Sequence, residues 1–471
     1  MSDARRNQAL AEVRRLRDEL QLWYADRTAK DCHEDKSPRG QYTSQLDAIR
    51  DEVGGAAAII DAHLQTLPTG GAIGGVYESC AAVERQVIWL WRVWGFFRDK
   101  FDQRDHPAYR ATLRAADEVV WSCFSPFFED RSTEGRRQPP PLAYIEADYS
   151  PSALRRDQRQ ALQRRDRDFV LVQQAFQQLP VPILKVPITA VNNPWSLGLI
   201  AHECGHFVQP LVAETYAETF QRQLADAIAR AQPAGAGDAD VWANWTPEIF
   251  ADWFSIVLLG PWALWTMAQF ELAGAETMGQ RRPAYPAPVT RLALMAAIAD
   301  HYGLGGGAML GTIGVDASTV SLDEGTARDL GYVAAIVPEI VRRLPAPLPP
   351  LDGLLDLRVS DFSGPDGNGS TAGVVGDWAA YLRGKKAIRP VSNKRSSARL
   401  ATAGCALAWS SDVIGTDGPP EALRQRALDT IAAAAMPGVR SVKTAPRRLA
   451  GEQLAAFLAR ADEVTVVEEV G

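Results

Sequence analysis

Residues 202–206 read His202-Glu203-Cys204-Gly205-His206, the pattern H-E-x-x-H in an uncharged stretch with no proline inside it. On a helix, residues four apart project from one face, so His202 and His206 reach the same metal ion. Glu203 lies beside that face, where a carboxylate takes a proton from an attacking water. Two histidines do not hold a catalytic zinc; a third protein ligand and an open position are required. One known extension of this pattern, H-E-x-x-H-x-x-G-x-x-H, would place glycine at 209 and histidine at 212, and the chain has Gln209 and Val212. The other major option among known zinc sites opening with H-E-x-x-H is a glutamate from a following helix. Thr246-Pro247-Glu248-Ile249-Phe250-Ala251-Asp252 supplies one, with Thr246 expected as the cap, Pro247 as helix start and Glu248 in the first turn. The positive end of the helix dipole favours the ionised carboxylate that binds zinc. Asp252, one turn on, shares the face of Glu248 and is placed to accept a hydrogen bond from the outer nitrogen of a ligand histidine.

These residues resemble the signature of the gluzincin metallopeptidases, H-E-x-x-H followed by E-x-x-x-D. The form E-x-x-A-D is most similar to the branch containing the CaaX prenyl proteases and heat-shock membrane proteases. That branch carries a later H-P-x-x-x-x-R element, and Tyr285-Pro286-Ala287-Pro288-Val289-Thr290-Arg291 has the same spacing with tyrosine replacing histidine. The resemblance implies a zincin-like catalytic domain holding Zn²⁺ through His202, His206 and Glu248. It also implies Glu203 as general base, Tyr285 as donor to the oxyanion, Arg291 steadying a carboxylate or the substrate, and a polypeptide substrate. It spans about Val181–Arg291 and brings none of that branch's membrane spans with it. An extended substrate is expected to add to a sheet edge near Leu184–Val191. A different reading makes the chain a regulatory or interaction protein on a zincin scaffold with a structural or latent zinc site. A third makes it a zinc hydrolase of non-peptide amides.

Other residues carry less. Cys204 points off the ligand face and reads as core. Cys32-His33-Glu34-Asp35 offers a thiolate but has no partner motif. His301-Tyr302-Gly303 reads as a helix end. His63 and His106 have no spaced partners, and Tyr216 reads as packing. Between Trp378 and Ser411 there is no acidic residue, while Arg383, Lys385, Lys386, Arg389, Lys394, Arg395 and Arg399 accumulate. Without interleaved aromatics this run reads as a solvated face or an interdomain contact, and nucleic acid is not expected as a partner.

The elements that must position these residues are mostly helical. The chain has 471 residues, 46% hydrophobic and 23% charged, with a net charge of −7. That mix excludes wholesale disorder, collagen-like and disulfide-scaffold classes. The basic residues are 42 Arg and 8 Lys, a skew of composition rather than a phosphate-binding device. Five scattered cysteines and no apolar leader point to a cytoplasmic protein. The most apolar window, Trp253–Phe270, is broken by Gly260-Pro261 and reads as a buried helix and turn, not a membrane span.

Periodicity predicts helices over 8–28, from about Leu46 to Leu67, over Val76–Phe101 and on to about Phe128, as a bundle or coiled-coil-like N-terminal region over 1–130. Self-association through these helices is a candidate interaction. Leu142–Tyr149 reads as a strand, Ser152–Leu179 as a charged helix and Val181–Val191 as a strand that Pro182 and Pro187 demote to a sheet edge. A long helix is expected from Pro194 to about Arg230. The catalytic domain is placed at 131–345 and a mainly helical region at 346–471, with late strands at Val439–Lys443 and Glu463–Glu468. The expected class is α+β, predominantly α, with a small sheet.

Overall fold

The computed structural model describes residues 2–33, 42–67, 73–129, 140–147, 152–154, 181–212, 216–231, 236–283, 285–341, 358–362, 373–390, 396–412 and 421–434, together with 451, 452, 454–456, 458 and 459. The chain is predominantly helical with one small sheet. Three long helices open it: α1 (Ser2–His33), α2 (Thr43–Thr66) and α3 (Ile73–Asp102). Apolar residues recur on each at spacings of three and four, and those faces turn towards one another. Val13, Leu16 and Leu20 of α1, Ile49, Val53 and Leu64 of α2, and Val87, Leu90 and Phe97 of α3 are buried in one core. The α1 stripe is thus covered inside the chain.

The next helix, α4 (Pro107–Glu129), joins a different core. Its Leu113, Ala116, Val119, Cys123 and Phe124 pack with the helices that follow the sheet. The change from one core to the other falls before α4, because the apolar face of α4 matches the later helices and not the first three.

The sheet stands between the two cores. Strands β1 (Leu142–Glu146), β2 (Ser152–Leu154) and β3 (Ile183–Pro187) lie in the order β1-β3-β2. β1 runs parallel to β3 from Leu142↔Ile183 to Glu146↔Pro187, and β2 runs antiparallel to β3 with Ala153 opposite Leu184. Successive strand residues point to opposite faces. Leu142, Tyr144 and Ile183 accordingly enter the first core, and Ala143, Ile145, Leu184 and Val186 the second.

β3 is central, not an edge, which corrects the reading of its prolines. Pro182 precedes the strand and its carbonyl accepts from the Leu142 N–H at 2.8 Å, while Pro187 is the last residue, so neither interrupts the ladder. Both sides of β3 are taken at Ile183–Lys185, Val186 and Pro187 are paired with β1 alone among the described residues, and Ile188–Val191 form a 3₁₀ turn. Ser152–Leu154 are strand where a helix was expected; residues 155–180 lie outside the described residues.

The single long helix expected after Asn193 is in fact a 3₁₀ turn (Pro194–Gly198) followed by α5 (Leu199–Val212) and α6 (Tyr216–Ala231). Then come α7 (Ala236–Asn244), α8 (Thr246–Leu259), α9 (Pro261–Glu271), α10 (Pro288–His301), α11 (Gly306–Ile313) and α12 (Glu324–Val341). Gly260 joins α8 to α9 at φ 60, a conformation open to glycine, and the apolar window around it is buried. Among the described residues no helix is long and apolar enough to cross a membrane.

Helices α13 (Gly373–Leu382), α14 (Ser397–Asp412) and α15 (Glu421–Ala432) complete the second core. The basic run is divided: Arg383 ties α13 to α14, while Lys385, Lys386 and Arg389 are exposed. Arg383 donates to the Leu407 and Ala408 carbonyls at 2.9 Å, Lys386 pairs with Asp377, and Arg399 is buried. Lys394, Arg395 and the expected late strands lie outside the described residues.

Candidate metal centre

Helices α5 and α8 pack against each other at Gly205 and Ala251. A Cβ on Gly205 would stand 2.8 Å from Ala251 Cα, so only glycine allows this approach. The contact brings the start of α8 opposite the ligand face of α5. Thr246 is not the cap expected from the sequence: it is the first helical residue, and its hydroxyl donates back to the Ala243 carbonyl at 2.7 Å. Glu248 nevertheless sits in the first turn.

Ligand atoms of His202, His206 and Glu248 lie within 4.8 Å of one another, and this is the only such group of three among the described residues. His202 Nε2 is 3.2 Å from Glu248 Oε2, and His206 Nε2 is 3.4 Å from Glu248 Oε1. A tetrahedral zinc with bonds of about 2.0–2.1 Å places neighbouring ligand atoms about 3.3 Å apart. Glu248 Oε2 is buried and accepts no hydrogen bond. The two Glu248 oxygens thus face one imidazole each, Oε2 without a well-formed hydrogen bond, an arrangement that fits a metal ion between them, and the nitrogen–oxygen donor set suits zinc.

The surrounding charges hold these side chains in place. Asp252 Oδ1 lies 2.8 Å from His202 Nδ1, which leaves Nε2 directed at Glu248. Asp252 is itself gripped by Arg291, whose Nε and Nη2 each donate at 2.8 Å to its two oxygens. Arg291 Nη1 donates to Glu271 at 2.7 Å, and Arg282 Nη2 donates to the same carboxylate at 3.0 and 3.1 Å. Sequence reasoning did not single out Glu271 or Arg282. The available signal was Glu271 itself, a buried carboxylate closing a helix that is otherwise without charge.

Burial pulls the His202 imidazole towards neutrality, but the Asp252 charge and its hydrogen bond outweigh this and hold the pKa at about 9. To serve as a ligand His202 must give up that proton. Burial raises the Glu203 pKa against the opposing pull of His202 and His206. For Glu248 the two histidines overcome burial and hold the carboxylate well below its ordinary range.

Tyr285 is brought to the same place. Its ring lies between two guanidinium groups, 5.3 Å from Arg282 Cζ and 5.5 Å from Arg291 Cζ, and it is 37% exposed. Burial, reinforced by the charge of Glu248, pushes its phenol up to about 12. Other candidates lie elsewhere. Cys204 is buried in the second core, and its thiol is driven up by burial and by contact with Cys123. His106 stacks on Tyr109, His63 is exposed at the end of α2, and His301 is exposed at the end of α10. The side chain of Cys32 lies outside the described residues.

No protein-family model, no curated protein and no solved structure matches this chain.

Proposed function

We propose that the protein is a zinc-dependent metallopeptidase of gluzincin type, working in the cytoplasm. The observation that carries the reading is the convergence of His202, His206 and Glu248, from two helices, beside the buried carboxylate of Glu203. Zinc held by those three residues would supply a Lewis acid for a peptide carbonyl and lower the pKa of the attacking water. Glu203 accepts the proton of that water and returns it to the leaving amine, and a pKa raised by burial suits both roles. Tyr285, its phenol held protonated, donates to the developing oxyanion. Arg291 and Asp252 keep His202 oriented. The free thiols of Cys80, Cys123, Cys204 and Cys405 support a reducing compartment.

The test is proteolysis by the purified chain, mapped on an unbiased peptide library with and without a chelator. Chelator-sensitive cleavage that Glu203→Gln abolishes, with zinc content unchanged, supports the peptidase. Zinc bound with no cleavage of any peptide, and full biological activity in Glu203→Gln, supports a structural centre on an interaction scaffold. No bound metal in protein purified without chelator sinks both.

A further inference from the structure

Glu271 is the last residue of α9, with its side chain 4% exposed. A carboxylate removed from water needs positive groups and hydrogen bonds to replace the lost solvent. Two arginines do so here, and each leads to a different part of the site. Arg291 binds Glu271 through Nη1 at 2.7 Å while its other two nitrogens fork onto Asp252. Asp252 in turn lies 2.8 Å from His202 Nδ1. Arg282 binds both Glu271 oxygens, at 3.1 and 3.0 Å, and also the Pro286 carbonyl at 3.2 Å. Its guanidinium rests on the ring of Tyr285.

We infer that Glu271 is the positioning residue of this centre, orienting His202 through Arg291 and Asp252 and anchoring the Tyr285 segment through Arg282. The inference rests on the reading of His202, His206 and Glu248 as a zinc site. Without the third anchor Arg291 pivots on its Asp252 fork, and Arg291 Nη2 is only 3.4 Å from the His202 ring nitrogens. Without the shared carboxylate the two guanidinium groups facing the Tyr285 ring also lose their common counter-ion and repel.

The test is a double-mutant cycle on zinc affinity, measured by competition with a chromophoric chelator at temperatures well below the melt. Glu271→Gln keeps the shape and is expected to weaken zinc binding about 10–50-fold, the range seen when outer partners of a ligand histidine are lost. In an Asp252→Asn background the same change is expected to cost no more than about 2–3-fold, because Glu271 acts through Asp252. A Glu271→Gln protein with unaltered affinity overturns the inference, and so do losses that multiply fully in the double variant, the mark of general structural support. If Glu271→Gln does not fold, Glu271→Asp, which keeps the charge and shortens the reach, is judged by the same two criteria. Parent protein that binds no zinc overturns the metal-site reading itself and this inference with it.

Discussion

Replacing Gly205 by alanine tests the packing that assembles the centre. In an isolated helix the change is favourable by about 1 kcal/mol, since glycine is a poor helix former. Here the new methyl would stand 2.8 Å from Ala251 Cα and 3.2 Å from both Ala251 Cβ and Phe254 Cβ. Carbon atoms pack at about 3.5–4.0 Å, so α5 and α8 must separate by about 0.7–1.2 Å. Overpacking of this kind costs about 1–3 kcal/mol, which the helix gain offsets in part. Net stability should fall by no more than about 2 kcal/mol, leaving a folded protein. The ligands suffer more, because His202 and His206 ride on α5 and Glu248 on α8. Coordination tolerates displacements of about 0.2 Å, several times less than the forced separation. Zinc affinity, measured by chelator competition alongside a thermal melt, should drop at least about tenfold. Ala251→Gly should not rescue it, since the nearest obstruction is the Ala251 Cα and not its methyl. Zinc affinity within about twofold of the parent would show that the helix contact does not set the ligand geometry.

Three further expectations follow from the same contacts. Asp252→Asn, which removes the charge beside His202 Nδ1, should lower zinc affinity about 10–100-fold without unfolding the chain; a calorimetric titration with unchanged affinity refutes the role. Tyr285→Phe should reduce kcat on a cleaved peptide about 10²–10³-fold with KM and zinc content unaltered, and a fully active variant removes the phenol from the chemistry. Away from the centre, Asp238 is held down to about 2, chiefly by its hydrogen bond with Arg328 and against the effect of burial, with Arg281 and Tyr332 adding to it. Its folded pKa lies below its ordinary value, so its contribution is complete above about pH 4 and lost as pH falls towards 2. Asp238→Asn should therefore cost about 1–2 kcal/mol at pH 7 in denaturant melts. A gap to the parent that fails to narrow in acid contradicts the pairing.

The convergence of His202 and His206 was legible because H-E-x-x-H fixes residue type and helical spacing together, and that of Glu248 because a helix start announced itself at Pro247. The reason that start succeeds was misread: Thr246 bonds backwards to Ala243 instead of capping forwards. The three opening helices follow their hydrophobic period closely, since each buries one face. Pro182 and Pro187 make Val181–Val191 read as an edge, whereas the ladder runs only from Ile183 to Pro187 and begins and ends where neither proline interrupts it. Glu271 and Arg282 escaped for a different reason. Their partners are 20 and 11 residues away, Arg291 from Glu271 and Arg282 from Glu271 respectively, and no local pattern links them. Gly205 is also silent in the sequence; only the approach of Ala251 shows why a side chain there has no room.

The sheet that divides the two cores has neither face to spare. Leu142, Tyr144 and Ile183 are wetted if the first three helices leave, and Ala143, Ile145, Leu184 and Val186 are wetted if the rest of the molecule does. A chain trimmed of α1–α3 would thus display a bare apolar strip directly behind the residues that lead into α5. Modular excision is not available to this protein, and neither half inherits a finished surface. The backbone amides paired between β1 and β3 are covered from both faces, so their exchange with solvent should be slow and should speed up when the packing on either face is weakened.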